Sequence, residues 1–259
     1  MLSGIRNIAF AGAGNVAYHL AKGLKLKGFR ISGIWSRMYK NASELAGQVG
    51  ANPYNNPAEL RQGTDLIIIA VNDKSIEDIS NQIGSFSGMV VHTAGSVNMQ
   101  VLAGFFEHFG IFYPLQTFSK EIPVNLQEVP FFIESNSQDG LVDLKGIALE
   151  LSPKVYEADS QQRMLLHVAA VFACNYTNLM YTIGNDLLST CRFPAEVLHP
   201  LIYETARKAI TGNPELLQTG PAKRGDLPTL QKHLETLACQ PEYADLYRRM
   251  ANLIVEKHK

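Results

Sequence analysis

The sequence is short of cysteine. Its 259 residues carry three, Cys174, Cys191 and Cys239, too far apart for a disulfide-stapled fold or a zinc-ligand spacing, so no metal is expected. Reduced thiols fit a cytoplasmic protein. An excess of charge is also missing. Lys and Arg number 23 against 24 Asp and Glu, a formal net charge of -1. No basic stripe is visible, which argues against nucleic acid as a partner. The apolar runs are core-sized and too short or too polar to span a bilayer, so no membrane is expected. The first strand-like segment starts almost at residue 1, leaving no room for a secretory signal. Low-complexity tracts and internal repeats are absent as well. The remaining picture is a globular chain, 46% hydrophobic, long enough for two domains and a sizeable core.

Against that background one stretch stands out, Gly12-Ala13-Gly14-Asn15-Val16-Ala17. It follows the apolar run Ile5–Ala11 and opens a helix-like segment, Val16–Lys27. Strand, glycine turn and helix with the spacing G-x-G-x-x-A make a dinucleotide site. The first glycine permits the turn and the second lets a pyrophosphate approach the backbone. Ala17 lets the helix pack close to the strand. The helix N-terminus then meets the phosphates with free N–H groups and the positive end of its dipole. Gly12, Gly14, Asn15 and Val16 are therefore the expected phosphate contacts. The alternative is a strand-to-helix turn that needs glycine for geometry alone.

Strand-like and helix-like segments alternate beyond this point. Strands are expected at Phe29–Trp35, Leu66–Val71, Met89–His92, Ile111–Tyr113, Pro130–Ile133 and Lys154–Tyr156, and helices at Ala42–Val49 and Ile76–Ile83. Such alternation predicts a parallel, doubly wound α/β sheet of the Rossmann kind. Near Ala158 the character changes. Ser160–Leu188 is helix-compatible and largely apolar, and Ala195–Ile210, Leu227–Leu237 and Glu242–Glu256 follow as helices. Asn213 and Asp226 are plausible N-caps. The domains expected are thus 1–157, a Rossmann-like dinucleotide-binding domain, and 158–259, an all-helical domain. The length and apolarity of Ser160–Leu188 exceed what a small domain can cover, which predicts a homodimer.

The tip of the second strand chooses between nicotinamide cofactors. An NAD site usually places Asp or Glu there, to hold the ribose 2′-hydroxyl. This chain has Ile34-Trp35-Ser36-Arg37. Ser36 can donate a hydrogen bond and Arg37 can pair with a phosphate, which favours NADP; the alternative is a solvated surface loop.

Ligands of open α/β sheets sit beyond the carboxyl ends of the strands. The nicotinamide is expected to run past Val71, Asn72 and His92. Asp73 reads as the cap of the helix near Ser75, and His92 has an alternative role as a satisfied structural residue. Gln116 can reach a substrate or hydrogen-bond its own loop. On the long helix His167, Asn175 and Asn178 interrupt an apolar surface. At 3.6 residues per turn His167 and Asn178 share a face and Asn175 is rotated by about 80°. They either bond between helices or subunits, or hold a substrate in the cleft between domains. The polar loop Thr219-Gly220-Pro221-Ala222-Lys223-Arg224-Gly225-Asp226 offers Lys223 and Arg224 to an anionic substrate or a cofactor phosphate, with Thr219, Gly220 and Arg224 as expected substrate contacts, or else is a solvated connection. His167 is the first candidate for a proton donor, because an imidazole exchanges protons near neutral pH.

Gly12–Ala17, Trp35-Ser36-Arg37 and Ala70-Val71-Asn72-Asp73 together resemble a known family. The resemblance continues through His92-Thr93-Ala94-Gly95-Ser96, Tyr113-Pro114-Leu115-Gln116-Thr117-Phe118, His167 with Asn175, and Thr219-Gly220-Pro221 with Arg224-Gly225-Asp226. That family joins a Rossmann-like domain to the domain of unknown function numbered 2520 (DUF2520), and its members carry the label NADP oxidoreductase. More distantly the layout resembles pyrroline-5-carboxylate reductase, deazaflavin-dependent NADP reductase and the 6-phosphogluconate dehydrogenase superfamily. These imply a helical C-terminal domain of the 6-phosphogluconate dehydrogenase type that dimerises and completes the active site; His167 and Asn175 are the catalytic residues expected in it. One departure matters. The β-hydroxyacid dehydrogenase branch has a catalytic lysine four residues before an asparagine on its long helix. If Asn175 is that asparagine, Val171 stands in the lysine's place and cannot exchange a proton. Alcohol oxidation through a lysine is therefore disfavoured, and imine reduction stays open. The expectation is an NADP(H)-dependent oxidoreductase acting on a small polar or anionic substrate. The alternative is a non-catalytic NADP-binding sensor or interaction protein.

Overall fold

The computed structural model describes residues 4–258. Its first part is a sheet wrapped by helices. In chain order these are β1 (Asn7–Ala11), α1 (Asn15–Leu26), β2 (Arg30–Trp35), α2 (Tyr39–Val49), β3 (Asn52–Tyr54), β4 (Leu66–Ile69), α3 (Ile76–Ile83), β5 (Met89–His92), β6 (His108–Pro114), β7 (Phe131–Ser135), α4 (Gln138–Leu151) and β8 (Val155–Glu157). The strands lie in the order β3-β2-β1-β4-β5-β6-β7-β8. The first six repeat the dinucleotide-binding order, with the reversal between β1 and β4 at the carboxyl edge.

The strands read as unbroken apolar runs because both sheet faces are covered. Side chains alternate across the pleat. Ile8 and Phe10 of β1, with Leu66 and Ile68 of β4, join the core beneath α1, α2 and α4. Ala9, Ala11, Ile67 and Ile69 join the opposite core with Ile76, Ile79 and Ile83 of α3. One expectation needs correction, since the sheet is not wholly parallel. β6 and β7 are antiparallel and β8 follows β7 in parallel. The chain between β6 and β7 has a short 3-10 turn at Leu126–Glu128 and no crossover helix, so it returns in the opposite direction.

The remaining helices are α5 (Ser160–Ala170), α6 (Thr177–Cys191), α7 (His199–Thr211), α8 (Leu227–Thr236) and α9 (Pro241–Lys257). Asp159 starts α5 with a capping box shared with Gln162. The single helix expected over Ser160–Leu188 is interrupted by a π turn at Val171–Tyr176. Bonds from i to i+5 widen that turn. The 3.6-residue reckoning that put His167 and Asn178 on one face does not run through it. Asp226 caps α8, accepting from the Thr229 N–H at 3.2 Å. Asn213 heads a turn and not a helix, accepting from the Glu215 N–H at 2.9 Å.

The chain forms two compact units, Met1–Cys174 and Asn175–Lys259, a division later than the sequence boundary at 157. α5 belongs with the sheet because Arg163, fully buried, ion-pairs with Glu134 of β7 and donates to the Val97 carbonyl after β5. The second unit is nearly without a core. Its buried apolar residues are Ala222, Leu237 and Ala251 among those described.

Candidate active site

The turn between β1 and α1 carries the first half of the site. Gly12 has φ +125°, and a Cβ there would lie 2.1 Å from the Ala70 carbonyl oxygen, so the position demands glycine. Its N–H donates to the Trp35 carbonyl at 2.7 Å, tying the turn to the end of β2. Gly14 is the N-cap of α1. It brings no capping side chain, and no acidic residue occupies the first turn. Space above the Gly14 Cα is open. Unmet N–H groups facing open space are what an anion needs.

A cavity of about 510 Å³ begins here. Gly12, Gly14, Asn15, Val16, Ser36, Arg37, Val71 and Asn72, all expected from the sequence, line it. The Arg37 side chain is exposed and has neither a hydrogen bond nor an ion pair among the described residues. Asn15 lines the cavity, yet its side-chain amide donates to the Phe118 carbonyl at 2.9 Å. His19, one turn on, contacts the Ser119 carbonyl at 2.8 Å. These two bonds strap the loop after β6 to α1 and bring Lys120 to the cavity wall. Neither Lys120 nor Asn41, near the start of α2, was singled out from the sequence. Asn41 had a usable signal, four residues beyond Arg37. Lys120 had none, because its place depends on contacts 100 residues away in the chain.

Thr93, just past β5, forms another part of the wall. His92 does not line it. Its ring is wholly buried, Nδ1 accepts from the Ala94 N–H at 3.2 Å, and Nε2 has no partner among the described residues. Burial, with the nearby Arg163 charge, pushes its pKa down to about 4. The geometry of His92 is that of a neutral structural residue. Asp73 is no helix cap. It accepts a short hydrogen bond from Ser96 and so joins the loops after β4 and β5.

Two residues beyond Thr93 lies Gly95. A Cβ at Gly95 would stand 2.8 Å from both His167 Nδ1 and Tyr113 Cζ. Without that atom, Tyr113 from β6 and His167 from α5 meet, with the phenol oxygen 3.2 Å from Nδ1. His167 is half-buried, and burial pushes the Tyr113 pKa up to about 12. Gln116 is exposed and accepts from the Thr117 N–H at 2.8 Å, so its side chain braces its own loop. Asn175, Thr219, Gly220 and Arg224 belong to the second unit. Gly220 has φ +103°, and Asn175, Thr219 and Arg224 are exposed. Among the described residues no group of three His, Cys, Asp or Glu could hold a metal, and no helix is long and apolar enough to cross a membrane.

Comparison with known proteins bears on what occupies the cavity. Residues 7–93 match the family model described as NADP oxidoreductase coenzyme F420-dependent, and residues 129–254 match the Domain of unknown function (DUF2520). A solved Bacteroides fragilis protein, provisionally named an NADP oxidoreductase, is 43% identical with a TM-score of 0.92, over 97% of this chain and 98% of that one. The chain belongs to this DUF2520 family of NADP oxidoreductases. A Thermotoga maritima protein is 21% identical with a TM-score of 0.81, over 97% of this chain and 99% of that one. A pyrroline-5-carboxylate reductase from Streptococcus pyogenes is 15% identical with a TM-score of 0.63, over 96% and 98%. At those identities the last two show a shared fold. No curated protein matches the sequence. The cofactor is NADP, and the cavity suits it. Uncapped N–H groups at Gly14 face one part and a cation without a partner, Arg37, stands at another.

Proposed function

We propose that the protein is an enzyme that reduces a small polar or anionic substrate with NADPH, and that an imine is the class its residues fit best. The observation that carries this reading is the Tyr113–His167 pair at Gly95, two residues from Thr93 on the cofactor cavity wall. In this reading Gly12, Gly14, Asn15 and Val16 hold the diphosphate, Ser36 and Arg37 hold the 2′-phosphate, and Val71 and Asn72 flank the path to the nicotinamide. The bound cofactor supplies a hydride, and orientation and protons are left to the protein. His167 offers an N–H to the substrate nitrogen or oxygen that gains electron density. No lysine is needed for that, in keeping with Val171. Gln116, Asn175, Thr219, Gly220 and Arg224 are the proposed substrate contacts.

We further propose that the helical region from 158 onwards pairs with a second copy of the chain. The support is its missing core: Leu201, Tyr203, Ile210 and Leu216 are all exposed, and α6, α7 and α8 contain no buried residue. Exposed apolar surface on that scale marks an interface. Free, exposed Cys174, Cys191 and Cys239 fit a reducing, cytoplasmic setting. The test is NADPH oxidation, followed by absorbance, against cyclic imines, 2-oxo acids and aldehydes. Turnover of imines above the other classes is expected. Tight NADPH binding with no turnover of any of them would replace this reading with the sensor, which Val171 in the lysine's place favours.

A further inference from the structure

We infer that Tyr113 is a positioning residue that fixes His167 as the tautomer with its proton on Nε2. The use of that N–H as a hydrogen-bond donor to the substrate rests on the function proposed above, but the tautomer does not. The phenol oxygen and Nδ1 are 3.2 Å apart, and neither has another hydrogen bond among the described residues. Two arrangements can join them. If Nδ1–H donates to the phenol oxygen, the phenol proton is left without an acceptor at a residue only 8% exposed. If the phenol donates to Nδ1, the buried phenol is satisfied and the donor left over is Nε2–H, on a ring that is only half-buried and within reach of water. An unmet buried donor costs more than an average hydrogen bond returns, so the second arrangement wins. The proton of the neutral ring then sits on Nε2, the nitrogen turned away from Tyr113. The phenol keeps its proton across the working range, because burial raises its pKa.

The backbone is built around this contact. Gly95 gives up a side chain at the point where both rings approach. Their planes meet edge to face at 67°, with centroids 6.2 Å apart. One turn earlier on α5, buried Arg163 is gripped by Glu134 and the Val97 carbonyl, and Ser160 also donates to Glu134 at 3.0 Å. The helix can therefore neither rotate nor slide without breaking a buried ion pair. Tyr113 sets which nitrogen holds the proton, and Arg163 sets where the ring stands.

Nitrogen-15 NMR of the histidine rings tests this at a pH where imidazole is neutral. The His167 signals are identified by their loss in His167→Asn. In the wild type the shifts should be those of one tautomer, Nε2–H. In Tyr113→Phe, which keeps the ring and deletes the hydroxyl, they should move toward the mixed values of free imidazole, while NADPH affinity stays within the wild-type range. An Nδ1–H signal in the wild type, or the same tautomer mixture in both proteins, overturns the inference whatever the turnover. The wild-type spectrum decides the first point even if the variant folds poorly. A fixed Nε2–H tautomer with full activity in His167→Asn would leave the inference standing and remove the catalytic reading instead.

Discussion

Arg37→Ala removes the proposed contact with the 2′-phosphate, the group that separates NADPH from NADH. In the protein alone the Arg37 guanidinium is exposed and bonds to nothing among the described residues. Removing it breaks no native interaction, so the change in folding stability should stay within about 0.5 kcal/mol. The expected loss is the proposed charge-assisted hydrogen bond to the 2′-phosphate, typically about 1.5–3 kcal/mol. The site is open to water, which places the loss toward the lower end. At about 1.4 kcal/mol per tenfold, NADPH should bind roughly ten- to a hundred-fold more weakly, nearer ten. NADH carries no 2′-phosphate, and its affinity should barely change. Fluorescence titration of both cofactors against both proteins reads the difference directly. The gap should narrow at high salt, as expected for an exposed ion contact. Equal weakening of NADPH and NADH would refute the assignment and point to a general distortion of the turn. No weakening of either would remove Arg37 from the site.

Sedimentation equilibrium at micromolar concentration should give twice the chain mass, because the second unit buries almost no apolar side chain on its own. A well-folded monomer would contradict the dimer. His92 makes acid sensitivity predictable. Its folded pKa of about 4 lies below the ordinary 6.5, so the unfolded chain binds the proton first and stability falls as pH drops from 6.5 toward 4. The full effect is about 3 kcal/mol at about 1.4 kcal/mol per pH unit. In denaturant titrations across that window the wild type should lose stability relative to His92→Phe as the pH falls, and parallel curves would exclude His92 as the cause. Gly95→Ala forces a Cβ between Tyr113 and His167, an overpacking that typically costs about 1–3 kcal/mol. It should cut turnover while NADPH affinity holds, and unchanged turnover would mean that the pair does not serve the reaction.

The local parts of this account were legible in the chain. α3 and β5 fall on their expected residues because glycines punctuate them: Gly84, at φ +71°, ends α3, and Gly88 precedes β5. The glycine turn between β1 and α1 was readable because its parts are contiguous. α4 was missed, since Gly140 and Gly146 dilute its helical signal and Ser137, which caps it, sits in a polar run. β3 was missed too, being three residues with a proline at its centre. The reversal at β7 depends on how a long loop lies, which periodicity does not encode. Tyr113 and His167 meet across 54 residues, and no spacing rule joins them. Gly95 was visible only as a turn residue, although its real constraint is the room it leaves for two rings from elsewhere in the fold.

His167 is proposed to serve the chemistry and not the binding of NADPH. The most direct measurement compares His167→Asn with the wild type in two readings on the same preparations, NADPH oxidation with a cyclic imine and NADPH affinity by fluorescence. Turnover should fall at least about a hundredfold, the low end for loss of one preorganised hydrogen-bond donor to developing charge, while affinity stays at the wild-type value. Normal turnover in the variant, or a parallel loss of affinity and turnover, would contradict it.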